Sequence, residues 1–422
     1  MKRNIGITVA LVYVLSLLGC GSIVQRKVEH HPAVVKILTP PKPDYVLKGT
    51  GWTNSVGFGT NAITVLHLEC DNHYSQGYWH GKLLAVEARA SIKSVLLGAR
   101  NKIPEKARAH MSDKRQKNIV GNILDKTWRA MRPFIAIAEL DEMQGLYAGL
   151  VEAGVTDVSL EDIYRVHCVP EISESATCST LFACGKATRD NEIYQVRILD
   201  YLGLNFGLEK HPLIVVYHAT QNSEQTFVSF GFAGFIGVIT GTNEKLAISE
   251  MGYGSPPGET IFGEPMPFLL KRVLRHADSA KVGTGIVRSA RRTNSYVYLL
   301  GDAAGDAVGI VSDATREKEF WINKQSEIVD RDKIIPQFPD VLYAGHFNEK
   351  QGALIKTMHG SIDEASLKDM ASKISADSNL HTAIYKVKSG EVLFAVKHGR
   401  IKASNCQYIR FNKEMWQKRN NN

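Results

Sequence analysis

Past its first twenty residues, this 422-residue chain has no apolar run long enough to cross a bilayer, which takes about 20 such residues as a helix. It has no low-complexity tract either. With 44% hydrophobic and 22% charged residues, it has the composition of a globular protein large enough for one big domain or two. Cysteine is scarce, six in all, and none belongs to a CxxC pair. The Gly-rich stretch GFAGFIG, 231–237, lacks the Lys-Ser/Thr of a phosphate loop and reads as strand and turn. His67, Cys70, His73 and His80 fit no zinc spacing, so no metal or other cofactor is expected. The net charge is +8, but much of the excess sits in 89–132, around SDKRQKN, without interleaved aromatics. That pattern reads as a solvated helical face, and no nucleic-acid partner is expected.

The N-terminus, MKRNIGITVALVYVLSLLGCGS, supplies the one apolar run. Lys2 and Arg3 precede the stretch 5–18, which is too short to span and fits the h-region of a secretory signal. The run closes on Leu17-Leu18-Gly19-Cys20, which resembles a bacterial lipobox. Residues 1–19 are then a lipoprotein signal peptide, and Cys20 is the acylated, palmitate-bearing first residue of the mature chain. The other readings are an uncleaved anchor or a plain signal with a chance cysteine. The lipobox implies a bacterial cell-envelope protein held on the periplasmic side of a membrane through Cys20, with the Pro-rich 20–48 as tether. Export permits disulfides. Lipidation of Cys20 leaves Cys70, Cys168, Cys178, Cys184 and Cys406, an odd number, so one thiol stays free. The count does not say which.

Residues 49–177 open on a strand candidate, NAITVLHLE at 61–69, and continue as a mainly helical segment. Leu140, Met143, Leu146 and Leu150 fall at helix spacing. The character changes at Cys178. STLFACGKATRDNEIYQVRILDY reads as strand, turn near Arg189-Asp190-Asn191, and strand. Short apolar runs punctuated by Gly and Asn come next, as in an antiparallel sheet. Met266, Leu270, Val273 and Ala277 mark a helix, and Ser361 with Glu364 forms a capping-box pattern ahead of another.

Cys178 and Cys184 lie six apart in ESATCSTLFACGKATRD, with no histidine in the stretch. A thiol must lose its proton to act as a nucleophile. Where no histidine serves, the residue's own α-amine can, provided cleavage of the Thr177–Cys178 bond makes Cys178 a chain terminus. The run from Cys178, with Gly185-Lys186-Ala187-Thr188 and Arg197-Ile198-Leu199-Asp200, resembles the post-cleavage start of the acyl-CoA:6-aminopenicillanic acid acyltransferase-like peptidases. These are N-terminal-nucleophile hydrolases related to the choloylglycine hydrolases. Val65–Leu84, Glu139–Gly154 and Phe232–Ser249 resemble further landmarks of that family, in order.

The resemblance implies an α+β fold, a four-layer αββα sandwich with 178–422 as the core chain and 49–177 as a helical segment that stays associated after self-cleavage. It implies Cys178 as nucleophile, Arg197 as stabiliser of the thiolate and Asp200 as partner of the α-amine. Asn243, in TGTNEK, matches an asparagine near the oxyanion hole. A second donor falls at Asn294 if the local alignment shifts by three, since Val297 stands at the matching place. The implied activity is hydrolysis or acyl transfer on a linear amide of an N-acyl or penicillin-like small molecule, with an acyl-enzyme on Cys178. The other readings are an uncleaved, inactive lipoprotein that binds a ligand or partner, and a phospholipase B-like lipid hydrolase. Cys184 reads as a core or disulfide residue.

Overall fold

The computed structural model describes residues 46–101, 103–172, 178–201, 207–221, 223–253, 258–324, 327–330, 333–346 and 348–418. The signal peptide, Cys20, most of the tether and Thr177 lie outside them. Among the described residues no helix is long and apolar enough to cross a membrane.

Strands rich in β-branched and aromatic residues build two sheets. The larger is ordered β1 (Gly49–Val56), β2 (Ile63–Cys70), β5 (Pro212–Tyr217), β6 (Phe227–Phe232), β7 (Gly241–Asn243), β8 (Leu246–Gly252), β9 (Tyr296–Asp302), β10 (Ala307–Ser312), β11 (Glu317–Trp321). The second runs β14 (Val341–Gly345), β3 (Ser179–Ala183), β4 (Tyr194–Asp200), β15 (Asn379–Lys386), β16 (Glu391–Val396), β17 (Ile409–Phe411). A separate hairpin pairs β12 (Glu327–Asp330) with β13 (Lys333–Pro336). The β3–β4 turn carries Asn191 at φ 57°, the left-handed conformation that Asn tolerates better than most residues.

The two sheets face each other. Gln195 Nε2 of β4 donates to Ser249 Oγ of β8 and to Leu299 O of β9, each at 3.0 Å. A Cβ on Gly301 would stand 2.1 Å from the Phe182 ring, so the sheets meet there only because position 301 has no side chain. On the outer side of the larger sheet, Leu269, Leu270, Val273 and Leu274 bury one stripe of a helix, Met266–His276, against Leu246, Ile248 and Tyr298. Two helices, Asn348–Met358 and Glu364–Ile374, cover the second sheet; Gln351 Nε2 donates to Thr180 O at 3.1 Å. The order is αββα, as the resemblance implies.

The segment before Cys178 is built into this sandwich: β2 runs parallel to β5, with Val65 opposite Ile214. Its helices are α1 (His73–Leu83), α2 (Ala85–Arg100), α3 (Asp113–Met131), α4 (Ile137–Glu152) and α5 (Leu160–His167), apart from single turns; the Met266–His276 helix is α6. α1 and α4 cross at glycines. A Cβ on Gly77 would lie 1.8 Å from Glu142 O, and one on Gly145 would lie 1.9 Å from Tyr74 O. α4 is also tied to α6 through buried ion pairs, Glu142–Lys271 and Glu139–Arg275, the latter at 3.0 Å. The cap of the Glu364–Ile374 helix differs from the sequence reading. Asp363 is the N-cap, accepting from Ser366 N at 2.9 Å, while Ser361 turns back to Met358 O. A carboxylate and a hydroxyl three apart make the same reciprocal pattern two residues later.

Candidate active site

Cys178 stands at the entrance of β3, one residue before the register Ser179–Ile198 and Thr180–Arg197 with β4. Its carbonyl accepts from His346 N at 3.0 Å, and its thiol faces Asp200 O at 3.7 Å. Cys178 lines a cavity of about 110 Å³. Most of the wall is apolar, including Leu199, Val215, Phe232, Phe235 and Met266. Val95, His167, Val169 and Pro170, all from the segment before Cys178, close one side.

Arg197, on β4, is fully buried. Its Nη2 donates to Glu250 Oε1 of β8 at 2.6 Å and its Nη1 to Ile198 O at 2.8 Å; the guanidinium charge acts on the Cys178 thiol. Burial pushes that thiol up to about 11, and Arg197 pulls against the shift. Burial likewise raises the Glu250 carboxyl, with Arg197 opposing it. A buried cation is tolerated when paired and hydrogen-bonded, and both conditions hold here. Glu250 escaped the sequence reading, although it is the lone charge in LAISEMG, a signal that a strand residue answers a buried cation.

Asp200 ends β4, three residues past Arg197 and so on the other face of the strand's alternation. Its Oδ2 accepts from Ala376 N at 3.0 Å, and burial pushes its carboxyl up to about 7. Cys178, Arg197 and Asp200 are thus gathered at one place, with the Asp200 main-chain oxygen facing the sulfur and a carboxyl oxygen anchored to Ala376.

The two asparagines do not join them through their side chains. Asn243 Nδ2 donates to Leu274 O and Ala277 O, each at 2.8 Å, and its Oδ1 accepts from Lys245 N and Leu246 N. It fastens the β7–β8 turn to the end of α6, which uses up both amide hydrogens. Asn294 Nδ2 is directed at Glu171, donating to its main-chain oxygen and, at 3.3 Å, to Oε2. Glu171 also accepts from Met266 N at 2.7 Å and Thr293 Oγ1 at 2.5 Å, and burial pushes its carboxyl up to about 7. Asn294 therefore braces the turn Val169–Ile172, which precedes Cys178 in the chain.

The five cysteines of the described residues are all free thiols. Cys184 is buried with its sulfur 3.7 Å from Gly305 O, a core position facing the larger sheet. His67 stacks on Trp52 and lies 3.4 Å from His218, whereas His80 accepts from Gly234 N at 3.0 Å. Among the described residues no three such side chains are grouped so as to hold a metal ion.

No family model matches this chain. It is similar to two proteins of Dictyostelium discoideum, dcd1B and dcd1A. The first is 24% identical over 81% of this chain and 69% of its own length; the second is 25% identical over 66% and 64%. Among solved structures, a Caenorhabditis elegans ortholog of N-acylethanolamine-hydrolyzing acid amidase matches at TM-score 0.41 and 15% identity, over 50% of this chain and 93% of that one. Penicillin V acylase from Agrobacterium tumefaciens matches at TM-score 0.34 and 12% identity, over 52% and 83%.

Proposed function

We propose that the chain is a self-processing N-terminal-cysteine amide hydrolase. The observation that carries the proposal is a thiol at the head of a strand, held against a buried Arg197–Glu250 pair and opening into an apolar cavity. In self-cleavage, the Cys178 sulfur attacks the Thr177 carbonyl carbon. The C–N bond breaks as its nitrogen takes up the proton that the thiol gives up and becomes the α-amine of Cys178. Water then hydrolyses the thioester, leaving Thr177 as a carboxylate.

In turnover, the α-amine has a reference pKa of about 7.7–8.0, suited to take the thiol proton near neutral pH. The thiolate attacks the substrate carbonyl. The amine passes its proton to the leaving nitrogen, and water releases the acyl group as an acid. Arg197 stabilises the thiolate, and Glu250 fixes the guanidinium without a search among rotamers. The apolar cavity receives the acyl group of an N-acyl amino compound or penicillin-like amide. Export through the lipobox favours water over acyl-CoA chemistry, because acyl-CoA is cytoplasmic.

The test is release of amine from N-acyl amides by wild type and by Cys178→Ala. Activity in wild type and its loss in the variant support the proposal; equal activity in both overturns it.

A second reading, an uncleaved ligand-binding lipoprotein of the same fold, draws on the engagement of the Asn243 and Asn294 amides away from the sulfur. A wild-type chain that stays intact, binds an apolar ligand and releases no amine would favour it.

A further inference from the structure

The segment 231–237, which has no phosphate-loop chemistry, does have a second set of contacts. It leaves β6 at Phe232 and supplies Phe232, Phe235 and Gly237 to the wall of the Cys178 cavity. Ala233 N donates to His211 O at 3.0 Å and Phe235 N to Phe232 O at 3.3 Å, and between and beyond these, two histidines from different helices hold the loop. His80 Nε2 of α1 accepts from Gly234 N at 3.0 Å, and His167 Nε2 of α5 accepts from Ile236 N at 3.0 Å.

His167 Nδ1 lies 2.8 Å from Ile163 O, so its Nδ1–H tautomer satisfies both ring nitrogens. Its ring packs on Phe235 and Phe268. Gly234, at φ +84°, settles against α2, where a Cβ would come within 3.0 Å of Ala88 O. On the far side Val238 N donates to Pro267 O at 2.9 Å.

We infer that His80 and His167 are positioning residues for substrate selection: through two main-chain hydrogen bonds they set the pocket wall that measures the apolar group presented to Cys178. The segment before Cys178 thus contributes to specificity as well as to folding. The inference rests on the proposed amide-hydrolase reading for its substrate, but the wall itself can be read without turnover.

The experiment measures alkylation of Cys178 by N-ethyl-, N-hexyl- and N-dodecylmaleimide, followed by peptide mapping to separate Cys178 from the other thiols. The readout is the ratio of dodecyl to ethyl rates. His80→Phe and His167→Phe keep ring volume but delete the acceptor; His80→Gln and His167→Gln keep an acceptor. In the combined Phe variant the ratio is expected to change about ten-fold, the equivalent of two ordinary hydrogen bonds, and to return most of the way in the Gln variant. An unchanged ratio in a folded Phe variant overturns the inference.

Should the combined Phe variant not fold, the single variants His80→Phe and His167→Phe carry the test, each deleting one of the two main-chain hydrogen bonds. A shifted ratio in either supports the inference, and an unchanged one in both overturns it. Failure of the hydrolase reading would show separately, as amine release that survives Cys178→Ala or is absent from wild type.

Discussion

Arg197 Nη2 and Glu250 Oε1 are 2.6 Å apart, both groups buried, one on each of the facing sheets. Removing one member leaves the other charge uncompensated, which costs about 3–5 kcal/mol for such pairs. Glu250→Ala and Arg197→Ala should each lower the melting temperature steeply. Arg197→Leu/Glu250→Leu should recover much of the loss yet remain uncut. Thermal denaturation beside a denaturing gel separates the two effects.

The glycines at the α1–α4 crossing offer a test of the segment before Cys178. Gly145→Ala forces a methyl to 1.9 Å from Tyr74 O, which is main chain and cannot swing aside. Overpacking of this kind costs about 1–3 kcal/mol. Gly154→Ala, where nothing lies within 4 Å, suffers only from its left-handed φ of +87°. Chemical denaturation should rank Gly145→Ala as the more damaging.

Acid should weaken the histidine-held loop. Burial lowers His80 to about 3 and His167 to about 4, below an unfolded value of about 6.5. For a histidine with a lowered pKa the unfolded chain takes up the proton first. The contribution of these two groups is therefore full above about pH 6.5 and is lost progressively as pH falls toward 4. Melting temperatures from pH 8 to pH 4 should fall more steeply for wild type than for His80→Phe/His167→Phe.

Glu171 has the opposite sign. Burial raises it to about 7, so the folded state retains a proton that the unfolded chain releases near its ordinary value. Relative to Glu171→Gln, wild type should gain stability as pH falls from about 7 toward 4.5. The difference in unfolding free energy between the two proteins, measured at pH 5 and pH 8, should be larger in favour of wild type at pH 5.

How much of this is legible in the sequence depends on the range of each interaction. The β3–β4 pair, its Asn191 turn and the grouping of Cys178, Arg197 and Asp200 lie within two adjacent strands, where alternation and turn chemistry act locally. Glu250 comes from the other sheet, and its partner is set by how the sheets stack. The family resemblance places Asn243 and Asn294 near the sulfur, but an amide binds whichever carbonyl the fold brings to it. For Asn243 that is the end of α6; for Asn294 it is Glu171. In the sequence His80 falls in a His/Cys group without zinc spacing and His167 stands alone; the partners of both are main-chain N–H groups, which no sequence pattern marks.

Buried pairs between α4 and α6 should hold the two chains together once the bond is cut. Glu142–Lys271 and Glu139–Arg275 join residues on either side of Cys178 and are sheltered from solvent. Salt screens exposed charges far more than buried ones. The two chains should therefore co-elute in gel filtration at about 1 M salt, where the Debye length is only about 3 Å, and separate only in denaturant. Lys271→Met, which strands Glu142, should weaken the association.

On the proposed mechanism, the bond between Thr177 and Cys178 is cut by the cysteine on its C-terminal side. Intact mass of the purified wild-type protein under denaturing conditions, beside Cys178→Ala, tests it most directly. Two wild-type chains are expected, the second beginning at Cys178, with one uncut chain in the variant. A single intact wild-type chain, or cleavage that persists in Cys178→Ala, would contradict it.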